Sequence, residues 1–173
     1  MRPSLTGGLA FVAILTVGLV AAGCGSGNDN STSTTAALTK AEFLKQGNAI
    51  CKKGNQQINK AANQTFTKKK YPNGPPPKSV QTKFATDTLI PNIQSQIDGV
   101  NALGAPTGDE AKVKAIVDSA QAALDKAKAD PTALLQNNPK NDPFAETNKL
   151  ANAYGLTVCG SGGGGGGGGK GNG

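Results

Sequence analysis

The chain has 173 residues and a formal net charge of +7, from 18 Lys and Arg against 11 Asp and Glu. It contains no His, no Trp, three Cys and a single Met at position 1, which excludes histidine-based catalytic triads, histidine metal sites and haem-type ligand sets. Residues 38 to 160 hold 9 Leu, 6 Ile, 5 Val and 4 Phe, or 24 of 123, a lean supply of large apolar side chains for one domain of ordinary size.

Arg2 supplies a positive charge, residues 9 to 20 form a run of 12 mostly apolar residues, and Ala21, Ala22, Gly23 and Cys24 follow at once. This pattern resembles the signal peptide and lipobox of bacterial lipoproteins, with Ala21 standing where the pattern favours Leu. The resemblance implies removal of residues 1 to 23, with the small side chains of Ala21, Ala22 and Gly23 letting signal peptidase approach the backbone. It also implies that Cys24 carries a diacylglyceryl thioether, so that membrane lipid is a partner through N-terminal acylation on the extracytoplasmic face. The alternatives are an ordinary cleaved signal peptide with a coincidental cysteine, or an uncleaved anchor. The apolar run is shorter than the ~20 residues a bilayer-spanning helix needs, and such a segment stands outside the fold. Residues 24 to 37 read as the lipidated cysteine and a flexible tether. Thirteen Gly, Ser, Thr, Asn, Asp and Ala residues after Cys24 would give a root-mean-square span of about 20 Å.

The domain, residues 38 to 160, reads as all-α. Thr39 and Glu42 form a capping box, and Leu38 with Phe43 a hydrophobic staple. Phe43, Gly47, Ile50, Gly54, Ile58, Ala61 and Thr65 recur at spacings of four and three, which predicts a first helix to about residue 68. Prolines at 72, 75, 76 and 77 cannot continue it and make a stiff connector. A second helix over about 79 to 103 follows from Val80, Phe84, Ile90, Ile93, Ile97 and Val100; Pro91 should kink or split it near 87 to 90, and Gly104 should stop it. Thr107 and Glu110 form a second capping box before the stripe Val113, Ile116, Val117, Ala120, Ala123, Leu124 and Ala127, which ends at Asp130 and Pro131. A short turn spans 132 to 135. Asp142 and Pro143 then open a last helix on Phe144, Leu150 and Tyr154, closed by Gly155. The predicted architecture is a small antiparallel helical bundle, three long helices plus a short C-terminal one.

With Cys24 taken by lipid, Cys51 and Cys159 remain as an even pair in an exported, oxidising setting, and a disulfide between them would tie the last element to the first. Two alternatives stay open: a reactive Cys51 thiolate favoured by Lys52 and Lys53, and two free structural thiols. Residues 161 to 173 are a disordered glycine-rich tail by composition. They lack the Gly-Lys-Ser/Thr ending of a phosphate-binding loop.

Charge is the remaining asymmetry. Residues 40 to 78 carry nine Lys against Glu42 alone, whereas residues 79 to 160 carry seven Lys against nine acids. Lys45, Lys52, Lys53, Lys60, Lys68, Lys69 and Lys70 are candidate contacts for a polyanion, either anionic lipid or a wall polymer; the bland reading is a solvated face that keeps the protein soluble. Nucleic acid is disfavoured, because no Arg follows Arg2 and no aromatic platform interleaves with the lysines. Many amides line the first two helices, and a groove near Pro91 could present Asn92 and Gln96 together. The stretches around Glu42-Phe43-Leu44-Lys45-Gln46, Ile50-Cys51-Lys52-Lys53-Gly54-Asn55 and Tyr154-Gly155-Leu156-Thr157-Val158-Cys159-Gly160 resemble small uncharacterised lipoproteins of high-GC actinobacteria. That resemblance implies a secreted helical domain and supplies no activity. The sequence thus reads as a membrane-anchored, non-enzymatic binding or envelope-interaction module without cofactor or metal. The alternative is an extracytoplasmic receptor holding a small polar molecule in a helical groove.

Overall fold

A computed structural model describes residues 37 to 136 and 141 to 162. The lipobox with Ala21, Ala22, Gly23 and Cys24, nearly all of the tether, and the tail beyond Gly162 lie outside the described residues. The described chain is all-helical, without a strand: α1 (Lys40–Thr65), α2 (Lys78–Phe84), a π-turn (Ala85–Leu89), α3 (Ile90–Ala102), α4 (Glu110–Ala129), a 3-10 turn (Pro131–Leu135), α5 (Ala145–Tyr154) and a last 3-10 turn (Cys159–Ser161).

The start of α1 forms as its sequence dictates. The Glu42 amide donates to Thr39 Oγ1 at 3.3 Å and the Thr39 amide to Glu42 Oε2 at 2.9 Å, closing the capping box. The Thr39 hydroxyl also donates to Glu42 Oε2 at 2.7 Å, and this bond, with the one from the Thr39 amide, holds the Glu42 carboxyl below its ordinary pKa. The helix ends at Thr65, earlier than its periodicity predicts. Phe66 leaves helical geometry and its ring meets Phe84 edge-on at 4.6 Å, while Thr67 opens a turn by accepting from Lys70 and Tyr71. Burial of an aromatic pair outweighs one more helical turn.

Pro91 produces the predicted irregularity. Proline lacks an N–H and its ring would strike the carbonyl four residues back, that of Asp87. The helix widens by one residue just before it, with the Ile90 amide donating to Ala85 O, and then continues as α3. The second capping box does not form. Asp109 sits at the N-cap of α4 without a side-chain cap bond, because its carboxylate is drawn instead to Lys112 and Tyr154. In α5 the buried face is Thr147, Ala151 and Tyr154, with Phe144 and Leu150 at its edges. The predicted stripe is therefore rotated. Asp142 accepts from the Phe144 amide at 2.8 Å ahead of that helix, and Gly155 (φ 110°) closes it in the left-handed region that favours glycine.

The core divides into two clusters. Ile58, Phe84, Leu89, Ile93, Ile97, Leu124 and Leu134 fill one, and Phe43, Cys51, Val100, Val113, Ile116, Tyr154 and Leu156 the other, with Val117 packed against both. Between α1 and α3 the helices approach closely because Gly99 faces Ile50, where a Cβ would stand 3.1 Å from Ile50 Cγ2, and Gly54 lies directly under Gln96. A disulfide joins Cys51 to Cys159 with Cα atoms 5.1 Å apart. Beside it Asn48 of α1 clasps the segment after α5, donating through Nδ2 to Gly155 O at 3.2 Å and accepting at Oδ1 from the Val158 amide at 2.9 Å.

Candidate functional site

At 100° per residue, Phe43, Gly47, Cys51, Gly54 and Ile58 define the buried side of α1, and Lys45, Lys52, Lys53 and Lys60 fall within about 100° of one another on the opposite side. All four are exposed, as are Lys68, Lys69 and Lys70 in the turn that follows. From Lys45 to Lys60 the stripe runs about 22 Å at 1.5 Å per residue.

The charge on this face is uncompensated. Among the described residues, six ion pairs form, and their cations are Lys40, Lys83, Lys112, Lys114, Lys128 and Lys149. None of the seven candidate lysines has a carboxylate partner there. The cause is compositional: the only acid of α1, Glu42, is engaged by Thr39. Lys70 instead donates through Nζ to Gln64 O at 2.9 Å, placing a cation at the electronegative end of α1.

Most acids elsewhere are engaged. Asp87, Asp118, Asp125 and Glu146 pair with lysines three or four residues away on their own helices. Asp109 is the most buried of these acids, its side chain 13% exposed. It accepts from Lys112 Nζ at 2.7 Å and Tyr154 Oη at 3.0 Å, with Lys40 Nζ at 3.7 Å. The Lys112 bond is the main cause of its lowered pKa. Burial, with the bond to Asp109, pushes the Tyr154 hydroxyl up to about 12. Lys40 also lies over the Tyr154 ring, 4.4 Å from its centroid. This cluster fastens the start of α1 and the N-cap of α4 to the end of α5.

Asn92 and Gln96 do come together, but onto each other. Gln96 Nε2 donates to Asn92 Oδ1 at 2.8 Å, and Asn92 Nδ2 to Gln57 Oε1 at 3.0 Å, so the predicted groove at Pro91 is occupied by an amide ladder between α1 and α3. Other concavities exist among the described residues. A half-open cavity of about 80 Å³ lies at the seam of the two core clusters, against the disulfide; its wall is apolar apart from Gln96, Thr147 and Asn148 and holds no charged side chain. A wider groove of about 540 Å³ lies at the C-terminal end of α1, between Asn59, Asn63, Phe66 and the prolines Pro75 and Pro76. Sequence reasoning missed both this groove and the Asn48 clasp. The i, i+4 spacing of Asn59 and Asn63 was the available signal for the groove, and nothing local marks the clasp.

The Cys51–Cys159 bond leaves neither sulfur as a free thiol, which removes the reactive-thiolate alternative for the folded, oxidised chain. Among the described residues, no group of three or more His, Cys, Asp or Glu is placed to hold a metal ion. No helix among them is long and apolar enough to cross a membrane. No protein-family model matches the chain, and neither the curated proteins nor the solved structures contain a match to it.

Proposed function

We propose that the chain is a lipid-anchored extracytoplasmic module that binds, without catalysis, a polyanionic component of the cell envelope. The observation that carries this reading is the row of seven lysines on the outer side of α1 and its turn, none paired with a carboxylate among the described residues. Such a row attracts polyanions and is weakened by salt, because exposed charges are screened over about 8 to 10 Å at ordinary ionic strength. The lipobox resemblance supplies the anchor at Cys24, after cleavage guided by Ala21, Ala22 and Gly23. The two or more acyl chains of such an anchor hold where one would not. The short connection from α3 to α4, residues 103 to 109, favours an antiparallel course for the bundle. Lys45, Lys52, Lys53 and Lys60 stay exposed on the outer side of α1.

Two measurements test the reading. Intact-mass spectra of the native product should show an added diacylglyceryl group, and a Cys24→Ser variant should leave the membrane fraction. The soluble domain should co-sediment with inorganic polyphosphate beads or anionic vesicles at low salt and lose most of that binding at high salt. Equal recovery on uncharged beads would return the lysines to the role of a solubilising face. The runner-up, a small-molecule receptor, draws on the half-open cavity beside the disulfide, whose mainly apolar wall suits a less polar ligand than the sequence implies.

A further inference from the structure

The groove at the C-terminal end of α1 differs from the rest of the lysine row in what surrounds it. Asn59 and Asn63 stand one turn apart on an exposed face, and neither amide makes a hydrogen bond among the described residues. Elsewhere on α1, Asn48 is engaged in its clasp and Gln57 in the ladder with Asn92, while Gln46, Asn55, Gln56 and Gln64 also make no side-chain hydrogen bond among the described residues; what sets Asn59 and Asn63 apart is that they line the groove. Opposite the two asparagines, Gln81 Nε2 is bound at 2.7 Å to Pro76 O, which fixes the proline wall. The half-buried Phe66 ring, set against Phe84, forms the apolar floor.

Free amides above an aromatic floor suit the alternating hydroxyl edges and C–H faces of a sugar ring. Cations stand at the same end. Lys60 adjoins Asn59 in sequence, Lys68 and Lys69 follow in the turn, and Lys70 reaches the Gln64 carbonyl one residue beyond Asn63. Neutral sugar chains would leave these charges unanswered.

We propose that this groove binds an anionic glycan, with Asn59 and Asn63 hydrogen-bonding the sugar and Lys60, Lys68, Lys69 and Lys70 meeting its acidic groups. The inference rests on the polyanion reading and names the class of polymer and the place where it docks. A row of lysines alone is indifferent to what carries the negative charge. The amides make the groove selective.

The test titrates the folded mature protein calorimetrically at fixed salt with four probes. These are a hexasaccharide of alternating glucuronic acid and N-acetylglucosamine, a neutral N-acetylglucosamine hexamer, inorganic polyphosphate, and phosphatidylglycerol vesicles. The acidic hexasaccharide should bind more tightly than the neutral one. The exposed double variant Asn59→Ala/Asn63→Ala should weaken the acidic hexasaccharide at least about tenfold, two lost hydrogen bonds, while leaving polyphosphate unchanged. The variant Lys68→Gln/Lys69→Gln/Lys70→Gln should weaken both. Circular-dichroism melting checks that each variant is folded. Equal affinity for the two hexasaccharides, or an asparagine variant that binds the acidic one as the parent does, overturns the proposal. Binding of polyphosphate or vesicles without either sugar overturns the glycan site and keeps the polyanion reading. Failure of all four probes removes both.

Discussion

Replacing both Cys51 and Cys159 by Ala removes the covalent link between α1 and the segment after α5. The bond closes a loop of 108 residues. In the chain-entropy account, freeing a loop of that length adds about 16 cal/mol/K to the entropy of the unfolded ensemble, or about 4.8 kcal/mol at 25 °C. Domains of this size are stable by about 5 to 15 kcal/mol, so the bond accounts for a third or more of the total. The two clusters of a lean core, with a cavity at their seam, offer little reserve. Urea denaturation followed by far-ultraviolet circular dichroism reads the loss directly. With a slope of about 1.5 to 2 kcal/mol/M, the midpoint should fall by about 2.5 to 3 M relative to the oxidised parent. Hydrogen exchange should show the Leu156 and Gly160 amides opening first, because both belong to the segment that the bond anchors. A midpoint within about 0.5 M of the parent's would refute the argument, since the non-covalent contacts of Asn48 and Leu156 would then hold the last segment without covalent help.

Two further outcomes follow from individual contacts. Asn48→Ala breaks both bonds of the clasp while improving helix propensity, so a net loss of about 1 to 2 kcal/mol is expected, with faster exchange of the Val158 amide; unchanged exchange at Val158 would count against the clasp. Tyr154 has its hydroxyl pKa raised to about 12 in the folded chain from an ordinary value of 10. The folded state therefore holds this proton more tightly, and the stability it contributes is complete below pH 10 and is lost as pH rises through 12. The loss is on the order of 3 kcal/mol, from about 1.4 kcal/mol per pKa unit. Tyr154→Phe should lower stability at neutral pH by removing the bond to Asp109, yet flatten the decline between pH 10 and 12. An alkaline profile identical to the parent's would show that another group governs it.

Local chemistry was legible wherever a residue's neighbours along the chain settle its role. Thr39 with Glu42, the break at Pro91 and the left-handed Gly155 all depend on groups within five residues, and all three form as the sequence implies. The lysine row was legible for the same reason, since α1 carries no acid but Glu42, a property of composition. The second capping box failed because α4 starts at Glu110, which puts Asp109 and not Thr107 at the N-cap, and the Asp109 carboxylate is held by Lys112 and by Tyr154, 45 positions away.

The sequence by itself determined that the chain is helical, where its charge lies and which two cysteines could pair, because periodicity, composition and parity need no knowledge of what packs on what. Only the tertiary structure decided that Asn92 and Gln96 satisfy each other while Asn59 and Asn63 remain open. It also decided that Asn48 fastens the end of the chain and that the face of α5 turns toward Thr147 and Ala151. An amide is equally suited to water, to another amide or to a ligand. Which of these it meets is fixed by the approach of a second helix, and that approach is set here by Gly54, Gly99 and the bond from Cys51 to Cys159.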